Sequence, residues 1–233
     1  MVANGTLLLP PSAWVIPGRP RHVSTPQRGM ALPPAWIRPE PLVLFDGRGT
    51  GPALPDPRRL EPGDAWRAFA RPGVRYLDIE TTGLGPDARI TVVGISDGAR
   101  ALTLVAGSTL TSAALARALR GATLLVTFNG ARFDLPRLRR AFPELDWSLP
   151  HFDLAREGHT VGLGGGLKAL QRRLDLPRDP EVEGCDGSVA PELWSQSQAG
   201  DPRALARLRR YCRADVEALV HLAPKVLARL VAS

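Results

Sequence analysis

Two acidic residues stand inside an apolar, β-prone run, and this pattern constrains the fold more than any other feature. The run is Val74–Leu84, V-R-Y-L-D-I-E-T-T-G-L, which predicts a strand that ends in a turn. Alternate residues of a strand point to the same face, so the carboxylates of Asp78 and Glu80 should lie side by side on a largely buried element. Burial and mutual repulsion both oppose their ionisation. A divalent cation would relieve both effects, and exposure of the strand would avoid them, so this stretch alone leaves a metal site open.

The composition is that of a globular chain with a basic surplus. The 233 residues are 44% hydrophobic and 23% charged, which suits one substantial domain plus an appendage. The net charge is +7, and only Lys168 and Lys225 among the 30 basic residues are lysine. Arginine pairs well with phosphate, so nucleic acid is a candidate partner, while a GC-rich genome would also explain the arginines.

The sequence predicts neither a secretory signal nor a membrane helix. No run approaches the ~18 apolar residues of a membrane helix, and Leu7–Leu9 lacks the basic residues that begin a secretory signal. The two cysteines, Cys185 and Cys212, have no metal-ligand spacing. We therefore expect a protein of the reducing cytoplasm, without membrane contact. The sequence contains no motif that identifies a protein partner.

The distribution of proline divides the chain in two. Residues 1–70 hold 13 of the 23 prolines and predict a Pro-rich, mostly irregular N-terminal arm, because proline blocks helix interiors and sheet ladders. Its tryptophans Trp14, Trp36 and Trp66 suggest docking, either on the same chain or on a partner. Met30 lies within the arm and is an alternative start. Residues 71–233 predict one folded domain.

Within that domain the hydrophobic pattern predicts an α/β fold. Three apolar runs joined by short turns, the second turn being Asp97-Gly98, are typical of an antiparallel meander. Thr123–Thr127 is typical of a buried parallel strand, and a fifth strand is predicted over Trp147–Leu154. The predicted helices are Thr109–Arg120, Arg132–Phe142, Leu167–Leu174 and Arg203 to about Leu222. The fold class is therefore a mixed five-stranded sheet, an antiparallel meander plus parallel strands, flanked by helices.

Some connections are expected to lack regular structure. The glycine-rich stretch Gly158–Gly166 predicts a loop, and residues 175–200 predict irregular, polar chain. Pro224 should kink or break the last helix.

Further polar residues are expected to join the two acids of the first strand. Strands one and four are natural neighbours in such a sheet, so the turn after strand four brings Asp134 beside them. Tyr211 and Asp215 share one face of the last helix, which can pack across the same end. Each acid has an alternative role. The alternative for Asp134 is an acid in the first turn of a helix, and the alternative for Asp215 is an acid on an exposed helix face. Asp153 is either a fifth acid near the metals or a strand-end hydrogen-bond acceptor.

Three motifs in this order resemble those of the DEDD superfamily of 3′→5′ exonucleases, which have a ribonuclease H-like fold. They are D-I-E-T at Asp78, N-x-x-x-F-D at Asn129 and Y-x-x-x-D at Tyr211, and the tyrosine is similar to that of the DEDDy branch. The flanking segments L-D-I-E-T-T-G-L, F-N-G-A-R-F-D-L-P and H-F-D-L resemble the YprB-like group of ribonuclease H-like proteins. The resemblance spans about residues 75–223 and leaves the arm unexplained.

The resemblance implies a metal-dependent hydrolase that acts on single-stranded 3′ ends of DNA or RNA. By this resemblance two Mg²⁺ or Mn²⁺ ions would be held by Asp78, Glu80, Asp134 and Asp215. Tyr211 would orient the attacking water, since a phenol with a pKa of about 10 is a poor base at neutral pH. Alternatives are a nucleic-acid-binding module without turnover and a structure-specific endonuclease on the same fold.

Charge and position suggest further contacts with nucleic acid. Residues 71–233 hold 22 basic and 18 acidic residues, and four of those acids are the proposed ligands. Candidate contacts are Thr81, Asn129, Arg210 and Arg213. Asn129 has the alternative role of shaping the turn in which it lies. The alternative for the two arginines is that they lie on a solvated helix face.

Overall fold

The computed structural model describes residues 60–232, which contain a mixed five-stranded sheet in the order β3-β2-β1-β4-β5. The strands are β1 Val74–Thr81, β2 Ile90–Ser96, β3 Ala101–Val105, β4 Leu124–Thr127 and β5 His151–Asp153. β1 and β2 pair antiparallel, as do β2 and β3, whereas β4 is parallel to both β1 and β5. The predicted meander, the parallel strands and the central pair of strands one and four are confirmed.

Helices cover both faces of the sheet. They are α1 Ser112–Ala118, α2 Asp134–Ala141, α3 Leu154–Thr160, α4 Leu167–Arg173, α5 Val189–Gln198 and α6 Pro202–Ala232. α6 runs across β1, β2 and β3 on one face, while α1 and α2 pack on the other. No helix within residues 60–232 combines the length and the apolar character that a membrane crossing requires.

β1 presents different chemistry to the two faces. Leu77 and Ile79 are buried in the apolar cluster formed with α1 and α2. Tyr76 is buried in the cluster that includes α6. Because side chains alternate along a strand, Asp78 and Glu80 share the face of Tyr76 and point towards α6. The central position of β1 thus delivers both acids to the sheet–α6 interface.

Close contact between β2 and α6 depends on a glycine opposite Asp78. Gly94 is the register partner of Asp78 on β2. A Cβ atom at Gly94 would lie 2.6 Å from Cγ2 of Val216 and 2.8 Å from Sγ of Cys212. These distances are shorter than side chains tolerate, so the missing side chain lets α6 approach the sheet at the level of the acids.

Two segments predicted to be irregular are partly helical. The predicted loop at 158–166 contains the end of α3, whose first turn is capped by Asp153. Residues 175–200 contain a 3-10 helix, Pro180–Val182, and α5, which buries Ala190 and Leu193. Such short helices gain their stability from tertiary packing, which local sequence patterns do not reveal.

Pro224 does not break the last helix. α6 continues for eight residues beyond it, to Ala232. Val226 and Leu227 after the proline are buried, as are Leu222 and Ala223 before it. Packing on both sides of Pro224 offsets the lost backbone hydrogen bond.

Most of the predicted arm, residues 1–59, lies outside the described residues, together with Trp14, Trp36 and Met30. Its last part is regular rather than irregular, because Pro62–Ala70 forms a 3-10 helix. The ring of Phe69 packs edge-on against Phe152 of β5, with ring centroids 5.0 Å apart. This segment contributes to the core, and the domain boundary at residue 70 stays a prediction.

Candidate active site

The two acids of β1 lie in an environment that opposes their charge. Glu80 is 7% exposed, and Asp78 is half-buried. One carboxylate oxygen of Glu80, Oε1, is shielded from solvent and has no hydrogen-bond partner among residues 60–232. A buried carboxylate oxygen without a donor is unfavourable, so this position suits a cation.

Asp134 joins these acids through the backbone of β1. β1 pairs with β4 only from Val74 to Tyr76, so its later N–H groups need other acceptors on that side. Oδ1 of Asp134, the first residue of α2, accepts a hydrogen bond from the N–H of Ile79 at 3.1 Å. Asp134 is 3% exposed, and burial is the main cause that raises its pKa from 3.8 to about 7.

The turn that carries Asp134 is held by Asp153. Asn129 has a positive φ of 61°, a conformation that asparagine tolerates better than most residues. The carboxylate of Asp153 accepts hydrogen bonds from the N–H groups of Asn129 (2.7 Å) and Ala131 (3.1 Å). It also accepts one from Ala155 at 3.1 Å. The predicted role of Asp153 as a strand-end acceptor is confirmed, and Asn129 forms part of the turn.

α6 places Tyr211 and Asp215 on the same buried face, 2% and 7% exposed. Two cations hold this pair. Lys168 donates to the hydroxyl of Tyr211 and lies 3.2 Å from Oδ2 of Asp215. Arg178 Nη1 lies 2.9 Å from Oδ1 of Asp215.

No sequence motif points to Lys168 or Arg178 as a site residue. Lys168 lies on α4, and Arg178 follows in the segment that leads to the 3-10 helix. Neither belongs to a spaced motif. One signal was present, since Lys168 is one of only two lysines in an arginine-rich chain.

The electrostatics show that the acids form one group. Burial raises the pKa of Asp78 well above its usual value, and the charges of Glu80, Asp134 and Asp215 raise it further. Burial, Asp215 and Asp134 likewise raise the pKa of Glu80. Burial and the charges of Asp215, Glu80 and Asp78 raise the pKa of Tyr211, so its phenol stays protonated. Two cations partner Asp215, and the charge of Lys168 also lowers the pKa values of Asp78 and Glu80 but does not offset their rise.

Cys212 lies with the two acids of β1 in a group of possible ligand atoms. Its Sγ and carboxylate oxygens of Asp78 and Glu80 all lie within 4.8 Å of one another. Burial, then the charges of Glu80 and Asp78, raise the pKa of the Cys212 thiol well above its usual value. The thiol is therefore a neutral neighbour of the acids. The sequence does not point to Cys212 as a site residue, because its cysteines have no metal-ligand spacing.

The predicted nucleic-acid contacts are engaged within the protein. Thr81 is buried, and its hydroxyl donates to the carbonyl of Gly83 at 2.6 Å. Arg210 pairs with Asp179 and Glu181, and Arg213 pairs with Glu217 at 2.8 Å. Contact of Thr81, Asn129, Arg210 or Arg213 with nucleic acid stays a prediction.

The residues present fit a hard divalent cation. Carboxylate oxygens are the ligands that Mg²⁺ and Mn²⁺ prefer, and the acids of β1 supply them in a rigid setting. Glu80 Oε1 has no hydrogen-bond partner among residues 60–232, and the pKa values of Asp78 and Glu80 are raised. A cation bound at this point would stabilise both carboxylates. Geometry therefore supports the metal site that the sequence left open.

A mixed five-stranded sheet with acids on its central strand and a long helix across them defines a ribonuclease H-like protein. The family model described as the RNase_H superfamily matches residues 75–227, and the chain belongs to this family. A solved structure with a similar fold is the family B DNA polymerase from the hyperthermophilic archaeon Pyrobaculum calidifontis, at 16% identity and a TM-score of 0.53. That match covers 66% of this chain and 24% of the polymerase chain. No match was found among curated proteins.

Proposed function

We propose that this protein is a divalent-metal-dependent 3′→5′ exonuclease of the DEDDy branch, related to the YprB-like group. It would release nucleoside 5′-monophosphates from DNA or RNA, acting on single-stranded 3′ ends. The observation that carries the proposal is the buried acid group on β1, with Glu80 Oε1 shielded and unpartnered among residues 60–232. A nucleic-acid-binding module without turnover has no need of mutually repelling buried carboxylates.

The proposed roles follow from where the residues lie. Asp78, Glu80, Asp134 and Asp215 would hold two Mg²⁺ or Mn²⁺ ions. When bound, such ions supply positive charge for the phosphoryl oxygens and lower the pKa of a water. The chain's own acids set the position of that charge, because β1 is central in the sheet and Asp134 is tied to Ile79.

Tyr211 would orient the attacking water rather than remove its proton. Its hydroxyl accepts a hydrogen bond from Lys168, which leaves its own proton free to be donated. The raised pKa of Tyr211 keeps that proton in place at neutral pH. A phenol held in this way is a fixed hydrogen-bond donor at the site.

The test is cleavage of 5′-labelled single-stranded DNA and RNA with Mn²⁺, resolved by length. Stepwise shortening from the 3′ end, absent with EDTA and in Asp78→Asn, is the expected result. Internal cuts would instead favour an endonuclease, and binding without cleavage in any divalent metal would favour the module without turnover. The ratio of rates on DNA and RNA identifies the substrate class.

A further inference from the structure

Lys168 and Arg178 add positive charge to a site otherwise built from carboxylates. Lys168 Nζ lies 3.2 Å from Oδ2 of Asp215, and Arg178 Nη1 lies 2.9 Å from Oδ1. Two cations therefore share one carboxylate. Counted by themselves, Lys168, Arg178 and Asp215 carry one surplus positive charge, and Lys168 also interacts with the charges of Asp78 and Glu80.

Arg178 also has hydrogen-bonding capacity to spare. Its Nη1 donates to Gln171 Oε1 at 3.0 Å as well as to Asp215. Its Nη2 is shielded from solvent and has no partner among the described residues 60–232. A buried guanidinium donor left unpaired is unfavourable, and the guanidinium fork matches the oxygens of a phosphate. Lys168 keeps 22% of its side chain exposed, against 13% for Arg178, so the cluster is more open on the lysine side.

Both cations flank the residue that we propose orients the attacking water. Lys168 Nζ lies 4.2 Å from the ring centroid of Tyr211, and the guanidinium carbon of Arg178 lies 5.8 Å from it. From these contacts we propose that Lys168 and Arg178 form a phosphate-binding subsite, which takes a backbone phosphate of the nucleic-acid substrate beside Tyr211. The inference rests on the proposed nuclease function and deepens it.

An ion-pair cluster anchors the segment that carries Arg178. Arg210, the residue before Tyr211 on α6, donates through Nη2 to Asp179 at 3.0 Å and makes a second contact to it through Nε. Nη1 of Arg210 lies 2.7 Å from Glu181. Since Asp179 follows Arg178 directly, this cluster fixes the position of Arg178 next to Tyr211. Arg210 is thereby a positioning residue of the subsite.

The test measures binding of a 5′-fluorescein single-stranded oligonucleotide by fluorescence anisotropy over a series of KCl concentrations. It uses the full chain, with EDTA and in parallel with Ca²⁺. Arg178→Gln and Lys168→Gln are each expected to bind about 10-fold more weakly, and to lower the slope of log affinity against log salt by about 0.7 per lost phosphate contact. Arg178→Lys should restore the slope but only part of the affinity, because lysine lacks the guanidinium fork.

Arg209→Gln is the matched control. It also removes one positive charge from the protein, but Arg209 contacts Thr103 of β3 at 3.0 Å. Affinity and salt slope should stay at the wild-type values in this variant. Its thermal unfolding, recorded with that of the other variants, shows whether each protein is folded.

Wild-type affinity and slope in both Arg178→Gln and Lys168→Gln would overturn the subsite. So would weaker binding accompanied by lower thermal stability and an unchanged slope, since that result marks a purely structural role. If Arg178→Gln does not fold, Lys168→Gln decides the question alone. Cleavage by the wild type together with unchanged slopes in the variants would overturn the subsite and leave the proposed nuclease function in place. Altered slopes in the variants, without any cleavage by the wild type, would remove the nuclease function and leave the subsite.

Discussion

The carboxylate of Asp134 accepts a hydrogen bond from the backbone N–H of Ile79, which lies between Asp78 and Glu80 on β1. The bond ties the second acidic motif to the first at a distance of 3.1 Å. It also places a third carboxylate beside two others in a buried region, and burial raises the pKa of Asp134 to about 7. Metal-free protein therefore contains a group whose protonation favours the folded state.

Stability of the metal-free protein should fall as pH rises from about 4 to about 7. The folded state binds more protons than the unfolded state in this pH window. The reason is that the pKa of Asp134 is about 7 in the folded protein, against the ordinary aspartate value of 3.8 that applies to the unfolded chain. The effect is up to about 4 kcal/mol, and the raised pKa values of Asp78 and Glu80 act in the same direction. Urea unfolding in EDTA at several pH values measures it.

Asp134→Asn should reduce that pH dependence, since the amide does not titrate, and should leave the part that Asp78 and Glu80 contribute. Mn²⁺ added above pH 7 should restore stability in the wild type, because a ligand bound by the folded state alone stabilises it. Stability that rises with pH across this window in EDTA would contradict the assignment.

Asp78→Asn should separate stability from activity. The change removes a charge whose pKa is raised by burial and by three neighbouring acids, so metal-free protein should gain about 1–2 kcal/mol. The same change should lower the rate of nucleic-acid cleavage by about 100-fold or more. Unfolding in EDTA and the cleavage assay measure the two effects on one preparation.

Glu183→Gln is the control for this change, because Glu183 is exposed and also loses one negative charge. Glu183→Gln should change neither the stability in EDTA nor the rate of nucleic-acid cleavage. A less stable Asp78→Asn in EDTA would show that the acids of β1 are compensated within the metal-free fold.

Tyr211→Phe should lower kcat by about 100-fold and leave KM unchanged, as expected for the loss of a group that orients the nucleophile. The raised pKa of Tyr211 adds a second expectation, which is that its ionisation produces no rise in rate between pH 7 and pH 10. Steady-state kinetics over this range test both points.

Tyr76→Phe provides the comparison, because Tyr76 is the other tyrosine of the chain and lies in the core on β1. Its kinetics should match the wild type within about threefold. A rate in Tyr211→Phe equal to that of Tyr76→Phe would remove Tyr211 from the mechanism.

Gly94→Ala should push α6 away from the sheet. The new Cβ would meet Val216 at 2.6 Å and Cys212 at 2.8 Å, so we expect a loss of about 1–3 kcal/mol in unfolding free energy. Cleavage should fall as well, because α6 carries Tyr211 and Asp215.

Adding Cys212→Ala to Gly94→Ala should recover part of the stability, since one of the two contacts is then relieved. Gly83→Ala is the matched control, because nothing lies within 4 Å of a Cβ built at Gly83. Equal stability of Gly94→Ala and Gly83→Ala would show that the β2–α6 contact is not tight.

Asp153→Ala should destabilise the turn that carries Asp134. It leaves the N–H groups of Asn129 and Ala131 without their acceptor, at an expected cost of about 2–4 kcal/mol in unfolding free energy. Asp153→Asn retains one acceptor oxygen and should lose less. Hydrogen exchange at Asn129 and Ala131 should accelerate in the alanine variant. Unchanged exchange at both amides would rule out this role of Asp153.

Local patterns were sufficient to predict β1, its acids and the fold. The period of a strand places Asp78 and Glu80 on one face, and the helical period places Tyr211 beside Asp215. Strand order then follows from the short turns and the parallel run at β4. These inferences work because each depends on residues that are close in sequence or on a simple rule of sheet topology.

The cationic side of the site could not be predicted in this way. Lys168 lies on a predicted helix and Arg178 in a segment predicted to be irregular, and they reach Asp215 across 47 and 37 positions of sequence. Arg210 looked like a free surface arginine, yet it pairs with Asp179 in a segment predicted to be irregular. Ion pairs between segments that are far apart in sequence follow no fixed spacing, so they are seen only in the folded structure.

The position of α6 at the end of the described chain has a consequence for biosynthesis. A ribosome makes Asp78, Glu80 and Asp134 first, and Tyr211 and Asp215 follow only with α6. A nascent chain thus carries the acids of β1 without the helix that covers them. For the proposed nuclease, the active site therefore stays incomplete while the nascent chain is still beside messenger and ribosomal RNA. Chains stalled before α6 should leave those RNAs intact.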